Sequence, residues 1–340
     1  FISPLSISMA LGMTLNGADG DTKEAMKTAL ELQGMSQEDI NTSYRSLIAL
    51  LTNLDPDVET GIANSIWIRD GFTVKQDFID VNQTYFDADV SILDFADPTA
   101  SETINNWIYV HTGGKITDII EDQISADIIL YLINAVYFNA KWTYLFDPEK
   151  TTERPFHLND GSEKYVPFMY RKGYFNAYEN EDFRAVDLPY GTGNFCMTIM
   201  MPSGAVSIDE FILNLDMSDW NQWMNGFTEA EDAVLYLPKF KMDYDIELKN
   251  VLSAMGMGIA FSASADFTRI NEAGGIWIDK VKHNTFIDVN EEGTEAAAAT
   301  VVSMIRGIVE YDIDRPFLFF IRERATGSIL FAGKMLDPEY

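Results

Sequence analysis

Residues 291–310 read Glu-Glu-Gly-Thr-Glu-Ala-Ala-Ala-Ala-Thr-Val-Val-Ser-Met-Ile-Arg-Gly-Ile-Val-Glu, and no apolar stripe of strand or helix period runs through them. They follow a strand signal ending at Phe286–Asn290 and precede another opened by Arg315-Pro316-Phe317. A connection this long without an element of its own is uncommon inside a compact domain and is often functional. Ala, Glu and Thr would allow a surface helix, and a flexible loop is equally open. A third reading is a strand held in reserve, its side chains alternating between two faces. One face then carries Thr294, Ala296, Ala298, Thr300 and Val302; the other carries Glu295, Ala297, Ala299, Val301 and Ser303. The first set is small and uncharged. Gly293 stands where a backbone pivot would be needed, and no proline removes an amide from the ladder. Such a segment could slide into a sheet and bury one face.

The rest of the chain must supply that sheet. Helical patterns dominate the first third: Pro4–Asn16, with Ser3 as N-cap and Pro at the first turn, then Asp21–Leu32 and Ser36–Leu51, the last opened by a box of Ser36 with Asp39. Ile62–Arg69 reads as a strand and Ser101–Val110 as a helix. Ile128–Phe138 reads as the tail of a helix running into a central strand buried on both faces. From Arg154 strands prevail: Ala185–Leu188, Phe195–Met201, Ala233–Lys241, Ile276–Val289, Phe317–Arg322 and Ile329–Lys334. Helices near Ile208–Leu215 and Asp245–Ala254 interrupt them. Helices first and strands later give an α+β class with large mixed sheets.

Composition narrows the partners. With 24 Lys and Arg against 53 Asp and Glu the formal charge is −29 over 340 residues, a surface that repels phosphate backbones and anionic lipid. Neither a nucleic acid nor a membrane is therefore expected as partner, and no apolar run reaches the length of a membrane-spanning helix. One cysteine, Cys196, excludes an intrachain disulfide and a Cys-rich metal site. Asn41-Thr42-Ser43 and Asn82-Gln83-Thr84 match the glycosylation pattern.

Val289-Asn290-Glu291-Glu292-Gly293-Thr294-Glu295-Ala296-Ala297-Ala298-Ala299-Thr300 resembles the hinge of a serpin, a serine protease inhibitor. The resemblance continues through Phe1-Ile2-Ser3-Pro4-Leu5-Ser6-Ile7, Asn134–Trp142, Leu237-Pro238-Lys239-Phe240, Arg315–Ile321 and Ile329–Gly333, in the family's order and over essentially the whole chain. It implies a serpin fold: a large central mixed sheet, two smaller sheets, surrounding helices and an exposed reactive-centre loop, in a single domain over residues 1–340. The family's first helix is missing ahead of Phe1, and truncation of the given sequence is expected.

The resemblance also implies a function. A serine protease cuts a bond in the loop, is held as an acyl-enzyme, and is dragged away as the loop inserts into the large sheet. The hinge would be Glu292, Gly293, Thr294, Glu295, Ala296, Ala297, Ala298, Ala299 and Thr300. No charged or bulky side chain on its inserting face would slow insertion, which favours an inhibitor over a non-inhibitory carrier, chaperone or storage serpin. Family spacing puts the cut after Gly307 or Arg306, and counting back from Pro316 points to Ile305. Arg306 is the only basic residue of the loop and suits a trypsin-like pocket; Ile305 or Met304 would suit an elastase- or chymotrypsin-like one, and a subtilisin-like target stays open. Ser3, Ser6, Asn134 and His283 match the polar shutter beneath the central strands, and Trp142 matches the breach where the loop first inserts. Lys239 and Glu291 match a pair near the hinge, expected as an exposed ion pair of at most about 1 kcal/mol.

These residues require no cofactor and no metal, and a monomer is expected. An extracellular, secreted protein is the expectation, although a chain without disulfides fits the cytoplasm as well. Enzymatic activity is not expected. His111, His157 and His283 are the only histidines, and no nucleophile elbow, zinc motif or phosphate loop is present.

Overall fold

The computed structural model describes residues 1–117, 119–121, 123–204, 206–292 and 309–340. Three helices open the chain: α1 (Pro4–Leu15), α2 (Gly20–Ala29) and α3 (Gln37–Asn53). Ser3 Oγ accepts from the Ser6 amide and Ser36 Oγ from the Asp39 amide, so both helices begin where a cap removes an orphan donor. There follow β1 (Val58–Arg69), α4 (Gln76–Phe86), β2 (Ala88–Leu93), α5 (Ala100–His111) and β3 (Leu130–Ala140). The second half holds β4 (Thr152–His157), β5 (Glu163–Glu179), β6 (Phe183–Tyr190), β7 (Phe195–Pro202), α6 (Ile208–Leu213), α7 (Met217–Gly226), β8 (Thr228–Pro238) and β9 (Phe240–Glu247). It ends with α8 (Lys249–Leu252), β10 (Lys282–Val289), β11 (Glu310–Asp312), β12 (Phe317–Glu323) and β13 (Ile329–Met335).

Among the described residues the strands form three ladders. One runs β11-β8-β5-β6-β7-β12-β13, with β4 on β5. The two smaller sheets implied by the resemblance are joined in this ladder, because the 17-residue β5 pairs β4 and β8 along one part of its length and β6 along another. The other two ladders are β2-β1-β3 and β10-β9. These five strands are those of a large central sheet, divided between β3 and β10. Helix α1 packs against β3 and β13, below the division.

Several expected boundaries move. Ile128 is not the tail of a helix: regular structure starts at Leu130, and the run is a strand throughout. Ala233–Lys241 is two strands. The chain leaves β8 at Pro238 and enters β9 at Phe240, while the Lys239 amide bonds to Pro167 O (2.9 Å). Asp245–Glu247 belongs to β9, not to a helix. Ile276–Val281 has the alternation of a strand but pairs with none; Ile276, Ile278 and Val281 pack against the core from an extended segment. Helices α4 and α7 had no counterpart in the sequence reading.

The two glycosylation patterns also fall differently. Asn41 and Asn82 are 3% and 0% exposed, and both bond to Asn16 in one buried amide cluster. Neither side chain is presented for modification.

Candidate functional site

No ladder pair joins β3 to β10 among the described residues; each pairs on its far side only, with β1 and β9. Between them lies a cleft of about 80 Å³, with Val136–Ala140 on one bank and Phe286–Asp288 on the other. Both banks run the same way. At the foot Asn134 and His283 are linked through the start of α1, and at the head Trp142 meets Asn290 and Glu292. A strand doubling back from Glu292 would therefore lie antiparallel to both banks, the arrangement that a direct hairpin return permits.

The foot is a polar latch. The Ser3 amide donates to His283 Nε2 (2.8 Å), Ser3 Oγ to Leu330 O (2.7 Å), and Ser6 Oγ to Asn134 O (3.5 Å). Ser3 and Ser6 sit together because they are the N-cap and the third residue of α1, whose first turn thus touches both banks. The strand alternation of β10 turns His283 inward with Thr285, Ile287 and Val289. Burial, with a smaller contribution from the terminal ammonium of Phe1, lowers the His283 pKa to about 4. The ring is neutral, and Nε2 is free to accept.

Asn64 was not foreseen. It lies opposite Asn134 in the β1–β3 ladder, its Oδ1 accepts from Asn134 Nδ2 (2.8 Å), and its own Nδ2 donates to Phe86 O (2.6 Å). Asn134 Oδ1, although buried, has no hydrogen-bond partner among the described residues. An asparagine in the middle of each of two apolar strands was the available signal, and only the pairing register brings them face to face.

The head is aromatic and ionic. Trp142 is 3% exposed and stacks on Tyr190 with ring centroids 4.2 Å apart. Its Nε1 donates to Asn290 O (2.9 Å) and its amide to Glu292 O (3.2 Å). Lys239 and Glu291 pair at 2.9 Å, and Thr151 Oγ1 donates to the same carboxylate (2.6 Å). The side chains are only 15% and 11% exposed, so this is not the exposed pair expected from sequence. Burial pushes the Glu291 carboxyl up, but the Thr151 hydroxyl and the Lys239 ammonium outweigh it and leave the pKa below the ordinary carboxylate value. Removing one partner of a buried pair strands the other charge, which costs about 3–5 kcal/mol where the site is dry. Gly293, Thr294, Glu295, Ala296, Ala297, Ala298, Ala299, Thr300, Ile305, Arg306 and Gly307 lie outside the described residues.

A family profile described as serpin (serine protease inhibitor) matches residues 1–338. The chain is a serpin. An uncharacterized serpin-like protein of Methanosarcina acetivorans is 37% identical over 360 residues, an alignment covering 100% of this chain and 82% of that one. The crystal structure of a thermophilic serpin, tengpin, in its native state superposes with a TM-score of 0.89 at 32% identity, covering 99% of this serpin and 88% of that chain. Thyroxine-binding globulin in complex with thyroxine superposes equally well, with a TM-score of 0.89 at 26% identity and coverage of 99% and 92%. The serpin family thus holds protease inhibitors and non-inhibitory members on one fold. No helix of the described residues is long and apolar enough to cross a membrane.

Proposed function

We propose that this serpin inhibits serine proteases as a suicide substrate. The observation that carries the reading is the open seam between β3 and β10, with Glu292 at its head handing the chain directly to the small, uncharged face of Thr294–Val302. The protease serine oxygen attacks the carbonyl carbon before the scissile bond. The C–N bond breaks, and the new amine leaves with a proton delivered by the protease histidine. The acyl ester remains on the residue before the cut. Arg306 is the favoured position and a trypsin-like enzyme the favoured partner; Gly307 and Ile305 are the neighbouring candidates.

The freed segment then folds back from Gly293 into the seam, bonding to β3 on one side and β10 on the other. With about 1 kcal/mol net per ladder bond, roughly 12 inserted residues gain on the order of 10 kcal/mol before side-chain burial is added. Ser3, Ser6, Asn134 and His283 act as the latch that parts and re-forms, while Trp142, Lys239 and Glu291 hold the head of the seam until the cut.

Mixing the protein with trypsin, elastase and subtilisin tests the reading on a denaturing gel. A covalent complex that survives SDS, with loss of protease activity, is expected for trypsin. If all three enzymes cut the chain and remain fully active, it is a substrate and the non-inhibitory alternative stands.

A further inference from the structure

Two arginines are buried among the described residues, Arg322 and Arg171, at 8% and 7% exposure. Arg322 follows the rule for buried cations. Its guanidinium bonds to the Asp187 carboxylate (3.1 Å), which Thr198 and Arg324 also contact. Arg171, on β5, has no described carboxylate paired with it. One Nη2 donates to Tyr174 O (2.5 Å), and the remaining N–H groups have no hydrogen-bond partner among the described residues. The ring of Tyr144 lies 4.8 Å from the guanidinium carbon and that of Phe175 5.8 Å away. The two tyrosines beside it are outward-facing, Tyr144 at 56% and Tyr174 at 58% exposure. Burial without a counter-charge lowers the Arg171 pKa to about 10.

The position matters as much as the missing anion. Tyr144 stands between Trp142 and Phe146, whose amides bond to the carbonyls of Glu292 and Glu291, where the chain departs toward residue 293. Phe175 packs edge-on against Tyr311 of β11 (5.3 Å), where the chain has returned to the body. Arg171 therefore lies between the two anchors of the stretch 293–308. A protein that engages that stretch is brought close to both anchors, and the Tyr144–Tyr174 rim lies beside them. Tyrosine and arginine are the side chains that dominate binding energy at interfaces, above all when recessed.

We propose that Arg171, rimmed by Tyr144 and Tyr174, is a recessed receptor for a carboxylate, and that its occupant is an Asp or Glu side chain of the docking protease. The identity of the occupant rests on the inhibitory reading; the carboxylate site itself does not. A net charge of −29 offers an acidic partner no long-range attraction, so the contact works at short range, as a planar two-pronged pair.

Two measurements separate these layers. In protein labelled at arginine Nε, the Arg171 signal is followed by NMR during titration with N-acetyl-glutamate methylamide, with N-acetyl-glutamine methylamide as neutral control. A saturable shift with the first and none with the second is expected. No shift overturns the carboxylate site. The second-order rate of complex formation with trypsin is then compared for the wild type, Arg171→Gln, Arg171→Lys and Tyr144→Ala. About a tenfold slowing at unchanged stoichiometry is expected for Arg171→Gln, with partial rescue by lysine; the exposed Tyr144→Ala leaves the fold intact and should also slow the reaction. An NMR shift with unaltered rates overturns the protease as occupant. An NMR shift with trypsin left active by every variant, wild type included, overturns the inhibitory reading while the carboxylate site stands.

Discussion

The two β systems of this serpin are built to opposite specifications. In the eight-stranded ladder every strand has a ladder partner, and the centre is apolar around one buried ionic cluster of Asp187, Thr198, Arg322 and Arg324; all eight residues of β7 are buried. Its packing leaves no slack. A Cβ on Gly333 would stand 2.3 Å from the Phe319 ring, so only glycine fits there. The five central strands stop short of closure. Among the described residues β3 and β10 present facing edges that bond to nothing across the seam, and uncharged polar side chains, Asn64, Asn134 and His283, lie along them. An unpaired edge is a liability in an ordinary protein. Under the proposed inhibition it is the feature that makes a second, deeper arrangement available: one system is fully paired, and the other offers a place that the chain itself would fill.

Cutting the chain between Gly293 and Gly307 should expose that contrast most strongly. If the vacancy fills, the central sheet gains on the order of 10 kcal/mol, and the melting temperature rises by on the order of 20 °C. Calorimetry before and after limited proteolysis measures it. A clipped protein that melts where the intact one does would mean the seam stays empty.

Phe319→Ala probes the finished system. The ring is fully buried against Phe1, Phe240 and Phe317, and truncation should cost about 3–5 kcal/mol. The loss should be the same in intact and clipped protein, because β12 has its partners in both. A penalty confined to the intact form, read from urea unfolding, would show that the two systems are not separable.

Acid should weaken the unfinished system through His283. His283 is neutral in the fold, with a pKa lowered to about 4 from an ordinary 6.5. Protons therefore bind the unfolded chain first. The contribution is fully present above pH 6.5 and is lost as pH falls toward 4, by about 3 kcal/mol in all. The urea midpoints of the wild type and His283→Gln should converge over this window, and parallel curves would remove His283 from the latch.

How much of this contrast was legible in the chain depended on whether the signal was local. The caps Ser3 and Ser36 were readable because a cap is a contact over three residues. The β8–β9 boundary was not, since only Pro238 and Lys239 interrupt the apolar run, and the change of sheet at Lys239 goes with its bond to Pro167, far away in sequence. Ile276–Val281 misled for the converse reason: it packs like a strand but joins no ladder among the described residues, bonding instead to Ala260 and Leu248. At the site, Ser3, Ser6, Asn134, His283 and Trp142 were singled out through family resemblance. Their partners Asn64, Thr151 and Tyr190 are set by register and tertiary packing, which no window of sequence contains.

The smallest effect concerns which bank gives way. Helix α1 holds both, but unequally. Ser3 binds the β10 side by a 2.8 Å bond to His283 and is tied to β13 through Leu330. Ser6 reaches the β3 side only at 3.5 Å, the outer limit of a hydrogen bond. The helix should therefore travel with β10 and β13 when the seam widens, leaving β3, β1 and β2 to swing away together. Ser3→Ala removes the cap and the Oγ bond to Leu330 O on β13, while the backbone-amide bond to His283 stays, and should cost about 1–2 kcal/mol. Ser6→Ala should cost no more than about 0.5 kcal/mol, because a bond that long contributes little. If the two substitutions cost the same in urea unfolding, α1 is tied no more strongly to β13 than to β3, and the division of the molecule into a fixed bank and a moving one fails with it.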